Sequence, residues 1–238
     1  MKREYPKPPP PAPPVILFED NHLLVVCKPT GMLSQGDPTG DVSLVDWAAD
    51  DLARRHGKPG KAFVGLIHRL DRPVGGVMVL ARTSKAALRL TQQFQAHTVQ
   101  KTYWAVTERL PFEPEGTLRH HLRKNIGQNV IRAYDNPVAG SKPAVLHYRM
   151  LAQSGTRSLL EVQPITGRQH QIRVQLTRLG CPIVGDAKYG KTEFLPDQSI
   201  ALFARRLQLF HPITQEALAF ESLPPNRYPW NLFPGEIS

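Results

Sequence analysis

Apolar residues in this chain come in short, β-branched runs, and that feature limits the fold more than any other. Val15–Phe18, Leu23–Cys27, Gly65–Ile67, Val77–Leu80, Thr102–Val106, Val145–Leu151 and Leu159–Gln163 are too short for globular helices and suit a pleated surface. Helical periodicity interrupts them three times. Ser43 caps a predicted helix whose Leu44, Trp47, Ala48 and Leu52 share a face and whose stop is Gly57. A second helix is predicted from Ser84 to His97, with Ala87, Leu90 and Phe94 inward. The third starts at Thr166-Gly167-Arg168-Gln169, a capping-box spacing, and carries Ile172, Leu176 and Leu179 before Gly180. Strands outnumber helices and cluster instead of alternating with them, so the expected fold is α+β, a single mixed, largely antiparallel sheet with flanking helices. The expected domain spans residues 15–234, behind a proline-rich tail at 1–14. Pro6, Pro8, Pro9, Pro10, Pro11, Pro13 and Pro14 deny that tail helix and ladder hydrogen bonds, and it reads as an extended spacer.

Charge narrows the partners. Among 238 residues, 30 are basic and 20 acidic, a formal net charge of +10, which points to a polyanion and first to nucleic acid. No stretch approaches the ~18–20 apolar residues of a membrane span, and Met1-Lys2-Arg3-Glu4 is not followed by the apolar core of a secretory signal. Cys27 and Cys181 stand far apart with no CxxC, which fits a reducing, cytoplasmic setting. The histidines lack HExxH or Cys/His spacing, and no glycine-rich phosphate cradle is present, so neither a metal nor a nucleotide cofactor is expected. A monomer is expected, since nothing marks an obligate protein partner.

Four segments carry possible chemistry. From Ala53 to Thr107 ten basic residues (Arg54, Arg55, Lys58, Lys61, Arg69, Arg72, Arg82, Lys85, Arg89, Lys101) face one acid, Asp71, where an apolar strand runs into the loop Arg69-Leu70-Asp71-Arg72-Pro73-Val74-Gly75-Gly76. A carboxylate among cations is a nucleophile or base beside a polyanion, or else half of a surface salt bridge. In Pro164 to Arg173, Arg168, His170 and Arg173 fall at the start of the predicted third helix, an anion site or a holder for Asp71, or simply solvated charges. The strand Lys101-Thr102-Tyr103-Trp104-Ala105-Val106 puts its two aromatics on opposite faces, one able to stack on an extruded base, unless both are core. Arg119, Arg123, Lys124 and Arg132 lie in a basic, turn-rich segment that reads as a phosphate-gripping hairpin or a solvated loop.

His68-Arg69-Leu70-Asp71-Arg72, Lys101-Thr102-Tyr103 and Pro164-Ile165-Thr166-Gly167-Arg168-Gln169-His170-Gln171-Ile172-Arg173 together resemble the RluA-type RNA pseudouridine synthases. Flanking pieces match too, from Glu19-Asp20-Asn21 to Lys28-Pro29-Thr30-Gly31 and from Gly180-Cys181-Pro182 through Asp186 to Tyr189-Gly190. The resemblance implies a cofactor-free enzyme that isomerises uridine in ribosomal or transfer RNA within a central basic cleft. It implies Asp71 as the catalytic aspartate, Tyr103 as the base-contacting tyrosine and Arg173 as the arginine that pairs with the aspartate. RNA binding is then expected from Arg69, Arg72, Lys101, Arg119, Arg123, Lys124, Arg132, Arg168 and His170. Two departures stand out. Val74-Gly75 replaces the family's usual Thr-Ser, removing two hydroxyls that brace the catalytic loop, and the short tail leaves no room for the S4 domain of many relatives. Recognition is therefore expected from the catalytic domain itself. The alternatives are a catalytically silent RNA-binding or ribosome-assembly module on the same fold, and an N-glycosidase that uses a distant acid such as Asp186.

Overall fold

A computed structural model describes residues 10–57, 59–128, 130–190 and 194–237. Pro6, Pro8 and Pro9 of the expected tail and Lys58 of the basic stretch lie outside the described residues. Eleven strands among those described form one sheet: β1 (Val15–Glu19), β2 (Leu23–Lys28), β3 (Gly65–Leu66), β4 (Gly75–Ala81), β5 (Gln100–Thr107), β6 (Glu115–Asn125), β7 (Val130–Tyr134), β8 (Lys142–Ser154), β9 (Arg157–Pro164), β10 (Leu202–Phe210) and β11 (Ala217–Glu221). Three helices flank it, α1 (Leu44–Arg55), α2 (Ser84–Gln95) and α3 (Gln171–Arg178). The order is β1-β2-β4-β10-β5-β9-β8-β6-β7, with β3 on β4 and β11 on β10. Only β4–β10 is parallel among these pairs.

Strand periodicity explains why both faces are covered. Leu24, Val26, Met78 and Leu80 pack with Leu44, Ala48 and Leu52 of α1 and Ile172 and Leu176 of α3 in the larger core. Their neighbours Leu23, Val25, Val77 and Val79 point the other way, onto Ala86 and Leu90 of α2. Helix α1 begins as its sequence requires, with Ser43 and Asp46 closing a capping box, and Gly57 follows it at φ 59°. At the β4–β10 junction Gly76 has φ 122°, and a Cβ there would stand 2.4 Å from the Ala204 carbonyl oxygen, so only glycine lets the two strands meet.

The third helix differs from expectation. It begins at Gln171, and Thr166 is not its cap. The Thr166 hydroxyl instead accepts from the Val145 N–H of β8 at 2.9 Å and donates to the Gln171 side chain at 2.7 Å, which keeps residues 165–170 as a loop tied to the sheet. The residue preceding the helix is His170, in the left-handed conformation at φ 54°, ψ 18°. Helix α2 ends at Gln95, two residues before His97, which has φ 57°. Strand β10 carries no clear apolar run, because Arg205 and Arg206 interrupt it. Those arginines are absorbed by the fold: Arg205 lies over the Trp104 ring at 5.0 Å and both pair with Glu221 of β11. Trp104 is buried in the larger core, and Tyr103 is partly buried against it.

Candidate active site

Asp71 sits in the turn between β3 and β4, and the turn is pinned from below. Its carbonyl accepts the Val74 N–H at 2.9 Å. On one side the Ser34 hydroxyl donates to Leu70 O at 2.7 Å and accepts from Leu70 N at 3.1 Å. On the other, Arg72 exchanges hydrogen bonds with the Gly31 backbone (Nε to O 3.0 Å; Gly31 N to Arg72 O 2.9 Å) and reaches Asp41 at 2.6 Å. Underneath, the fully buried Lys28 ammonium holds the carbonyls of Met32 (2.8 Å) and Pro29 (3.0 Å). Burial pushes the pKa of Lys28 down to about 7, against the opposing pull of Asp71. The loop 28–41 thus supplies the bracing that the missing hydroxyls at 74 and 75 were expected to give, and Val74 anchors the turn in the core instead.

Helix α3 delivers the counter-ion. Arg173, in its first turn, donates from Nη1 to Asp71 Oδ2 at 2.9 Å. Its Nε and Nη2 are taken by Asp186 at 2.7 and 2.9 Å, a two-pronged pair. Burial works against the charge of Arg173, but the hydrogen bonds and charges of Asp186 and then Asp71 outweigh it and raise its pKa. Side-chain exposure separates the two acids: Asp186 is 1% exposed and Asp71 27%. The buried acid supports and the open one faces the cavity.

That cavity holds about 1180 Å³ and is lined by eight of the twelve residues picked out from sequence: Arg69, Asp71, Arg72, Lys101, Tyr103, Arg168, His170 and Arg173. Arg69 is exposed at its mouth; Lys101 is half-buried, its pKa lowered by burial. Burial, with a smaller push from Asp71, raises the pKa of the Tyr103 hydroxyl well above the ordinary phenol value. Arg168 is steadied by the Pro143 carbonyl at 3.0 Å. The charge of Arg72 is committed to Asp41. His170 stands 3.6 Å from Asp71 and 2.6 Å from the Tyr189 hydroxyl, and burial lowers its pKa. His68 accepts from the Val79 N–H at 3.1 Å and stacks on Phe94, while burial drives its pKa down to about 3.

Arg119, Arg123, Lys124 and Arg132 lie outside the cavity, exposed on the β6–β7 hairpin. Much of the basic stretch at 53–107 is also spent elsewhere. Arg54 and Arg55 pair with Asp51, and Arg55 and Arg82 with Glu19. Sequence reasoning missed Asp186 as the second partner of Arg173, and with it Lys188, Tyr189, Lys28 and Ser34. An acid flanked by Val184-Gly185 needs a buried cation, and that was the available signal. Among the described residues no cluster of metal-ligating side chains occurs.

An open carboxylate on a braced turn, a doubly paired arginine and a tyrosine share one cleft. Residues 22–178 match the protein family described as RNA pseudouridylate synthase. The chain belongs to the RNA pseudouridylate synthase family. It is 32% identical over 228 residues to the tRNA pseudouridine synthase C of Pectobacterium carotovorum subsp. carotovorum, covering 87% of this chain and 58% of that one. It is 33% identical over 182 residues to the ribosomal large subunit pseudouridine synthase C of Rickettsia felis, covering 76% and 57%. The chain therefore spans under two thirds of the length of these curated relatives. Human RNA pseudouridylate synthase domain containing 4 superposes with a TM-score of 0.76 at 27% identity, over 92% of this chain and 91% of that one. The family's α+β architecture, expected from the short runs, is the architecture found.

Proposed function

We propose that this protein converts uridine in structured RNA to pseudouridine, with Asp71 as the catalytic residue. The observation that carries the reading is the asymmetry around Arg173: one acid is buried to hold the guanidinium and the other is left open in a cleft beside Tyr103. A uridine within folded RNA is unstacked and flipped into the cleft. Tyr103, which lines the cleft beside Asp71, supports its ring. The Asp71 carboxylate then attacks C1′, or takes the C2′ proton to give a glycal, and in either route the N1–C1′ bond breaks with its electron pair on uracil. Uracil turns and C5 bonds to C1′, which displaces the Asp71 carboxylate in the first route or is accompanied by return of the proton to C2′ in the second; the C5 proton then passes to water and N1 takes up a proton. Arg69, Lys101 and Arg168 at the cleft, with Arg119, Arg123, Lys124 and Arg132 on the hairpin, contact phosphates. Relatives named for tRNA and for ribosomal large-subunit RNA make both RNA classes the substrates to test.

Ribosomal and transfer RNA transcripts carrying tritium at uracil C5 are incubated with the protein, and released tritium is counted beside a filter-binding titration. Release from one class, at one mapped uridine, is expected. Tight binding with no release from either would leave a silent RNA-binding module in its place.

A further inference from the structure

Tyr189 and His170 join the catalytic carboxylate to the hairpin. Among the described residues strand β7 is the edge of the sheet, so the outward N–H of Ile131 pairs with no strand. It donates instead to the Tyr189 hydroxyl at 3.1 Å. The same hydroxyl lies 2.6 Å from His170 Nδ1. Ile131 occupies one lone pair of the phenol and leaves the other free, so the direction is set from the far side of the ring, where the Asp71 carboxylate can only accept and favours a proton on Nε2, leaving Nδ1 to accept from the phenol. An imidazole that accepts at Nδ1 carries its proton on Nε2. Nε2 is the nitrogen 3.6 Å from Asp71 Oδ2. That spacing is long for a hydrogen bond in the free protein, and contacts of this kind shorten when substrate closes a site.

Two further features select His170. It adopts the left-handed backbone conformation that side chains other than glycine rarely take, without capping α3 with its side chain. Strain of this kind persists where surrounding contacts impose it, and here they aim the ring at Asp71. Its environment also favours the neutral ring. Burial, the largest effect, disfavours a second proton; Asp71 pulls the other way, and the cations Arg173 and Lys188 add to the effect of burial so that the pKa is lowered. Oδ2 of Asp71 therefore faces two donors, Arg173 and His170, while Oδ1 has no polar partner among the described residues.

We propose that Tyr189 and His170 are positioning residues for Asp71: Tyr189, anchored on the hairpin edge, fixes the Nε2–H tautomer of His170, and His170 with Arg173 holds Oδ2 so that Oδ1 is the reacting oxygen. This rests on the isomerase reading above. It also gives the hairpin a route to the catalytic group, because RNA that shifts β7 shifts the Tyr189 hydroxyl.

The test has two readouts. In the protein labelled with ¹⁵N-histidine, NMR assigns the ring tautomer of His170, with His170→Gln identifying its signals. The Nε2–H form is expected in wild type, and loss of that single form in Tyr189→Phe. Single-turnover tritium release is then compared with RNA affinity. Tyr189→Phe is expected to slow release about tenfold with affinity within about twofold. His170→Gln, whose amide N–H has the reach of Nε2–H, should keep more activity than His170→Ala, and adding Tyr189→Phe to it should change nothing further. An Nδ1–H tautomer in wild type, or a Tyr189→Phe rate equal to wild type, overturns the proposal. No tritium release from wild type would instead defeat the isomerase reading, and the tautomer would still decide whether the chain exists.

Discussion

Replacing Arg173 with methionine is expected to unfold the site as well as silence it, and the structure gives the size. Both oxygens of Asp186, 1% exposed, are held by Arg173. Removing the guanidinium strands a buried carboxylate, a change that costs about 3–5 kcal/mol. Against a total stability of about 5–15 kcal/mol this is a large share. With a urea m-value of about 2–3 kcal/mol/M, the midpoint should fall by roughly 1–2.5 M. Asp71 adds little to that loss because water reaches it. If Asp186 is the source of the cost, Arg173→Met combined with Asp186→Leu should regain at least half of the lost midpoint, since a buried ion pair replaced by apolar groups is often neutral. Tritium release should be absent in the single and double variants alike. A double variant as unstable as the single, or a single variant within about 0.3 M of wild type, would refute the division of labour between the two acids.

Lys28 gives a pH dependence of definite sign. Its folded pKa of about 7 lies below the ordinary lysine value of 10.5, so the unfolded chain binds more protons between these values and stability should rise with pH from about 7 to 9.5, a slope absent in Lys28→Met by urea titration. Gly76→Ala, which forces a Cβ against the Ala204 backbone at positive φ, should cost at least ~3 kcal/mol, visible as insoluble or thermally fragile protein; an unchanged Tm would contradict the packing. For RNA, log affinity against log salt should fall with a slope of roughly −3.5 if about five phosphates are neutralised, and Arg123→Ala with Lys124→Ala should flatten it by about 1.4, whereas Arg54→Ala, paired with Asp51, should leave it unchanged.

Sequence pattern was a good guide where local chemistry decides structure. The runs that became β2, β4, β8 and β9 alternate or are uniformly apolar, and Ser43 caps α1 without outside help. It failed where distant contacts decide. Thr166 has cap chemistry, but β8 takes its hydroxyl; β10 is a central strand whose arginines are tolerated only because Trp104 and Glu221 receive them. The site shows the same division. The placement of Asp71, Tyr103 and Arg173 around one cleft followed from motif residues, whereas Asp186 and Tyr189 act through partners 13 and 19 residues away across a helix. Net charge over a stretch was the weakest signal, since Arg54, Arg55 and Arg82 belong to ion pairs with acids outside it.

The most direct measurement is tritium release by Asp71→Asn from RNA labelled at uracil C5, run beside filter binding on the same RNA. The amide is nearly isosteric and keeps an oxygen for the Arg173 donor, but it is neither a carboxylate nucleophile nor a base. Release should vanish while affinity holds or tightens, because a negative charge leaves a cleft that binds phosphates. Release at the wild-type rate would make Asp71 a salt-bridge residue and contradict the account.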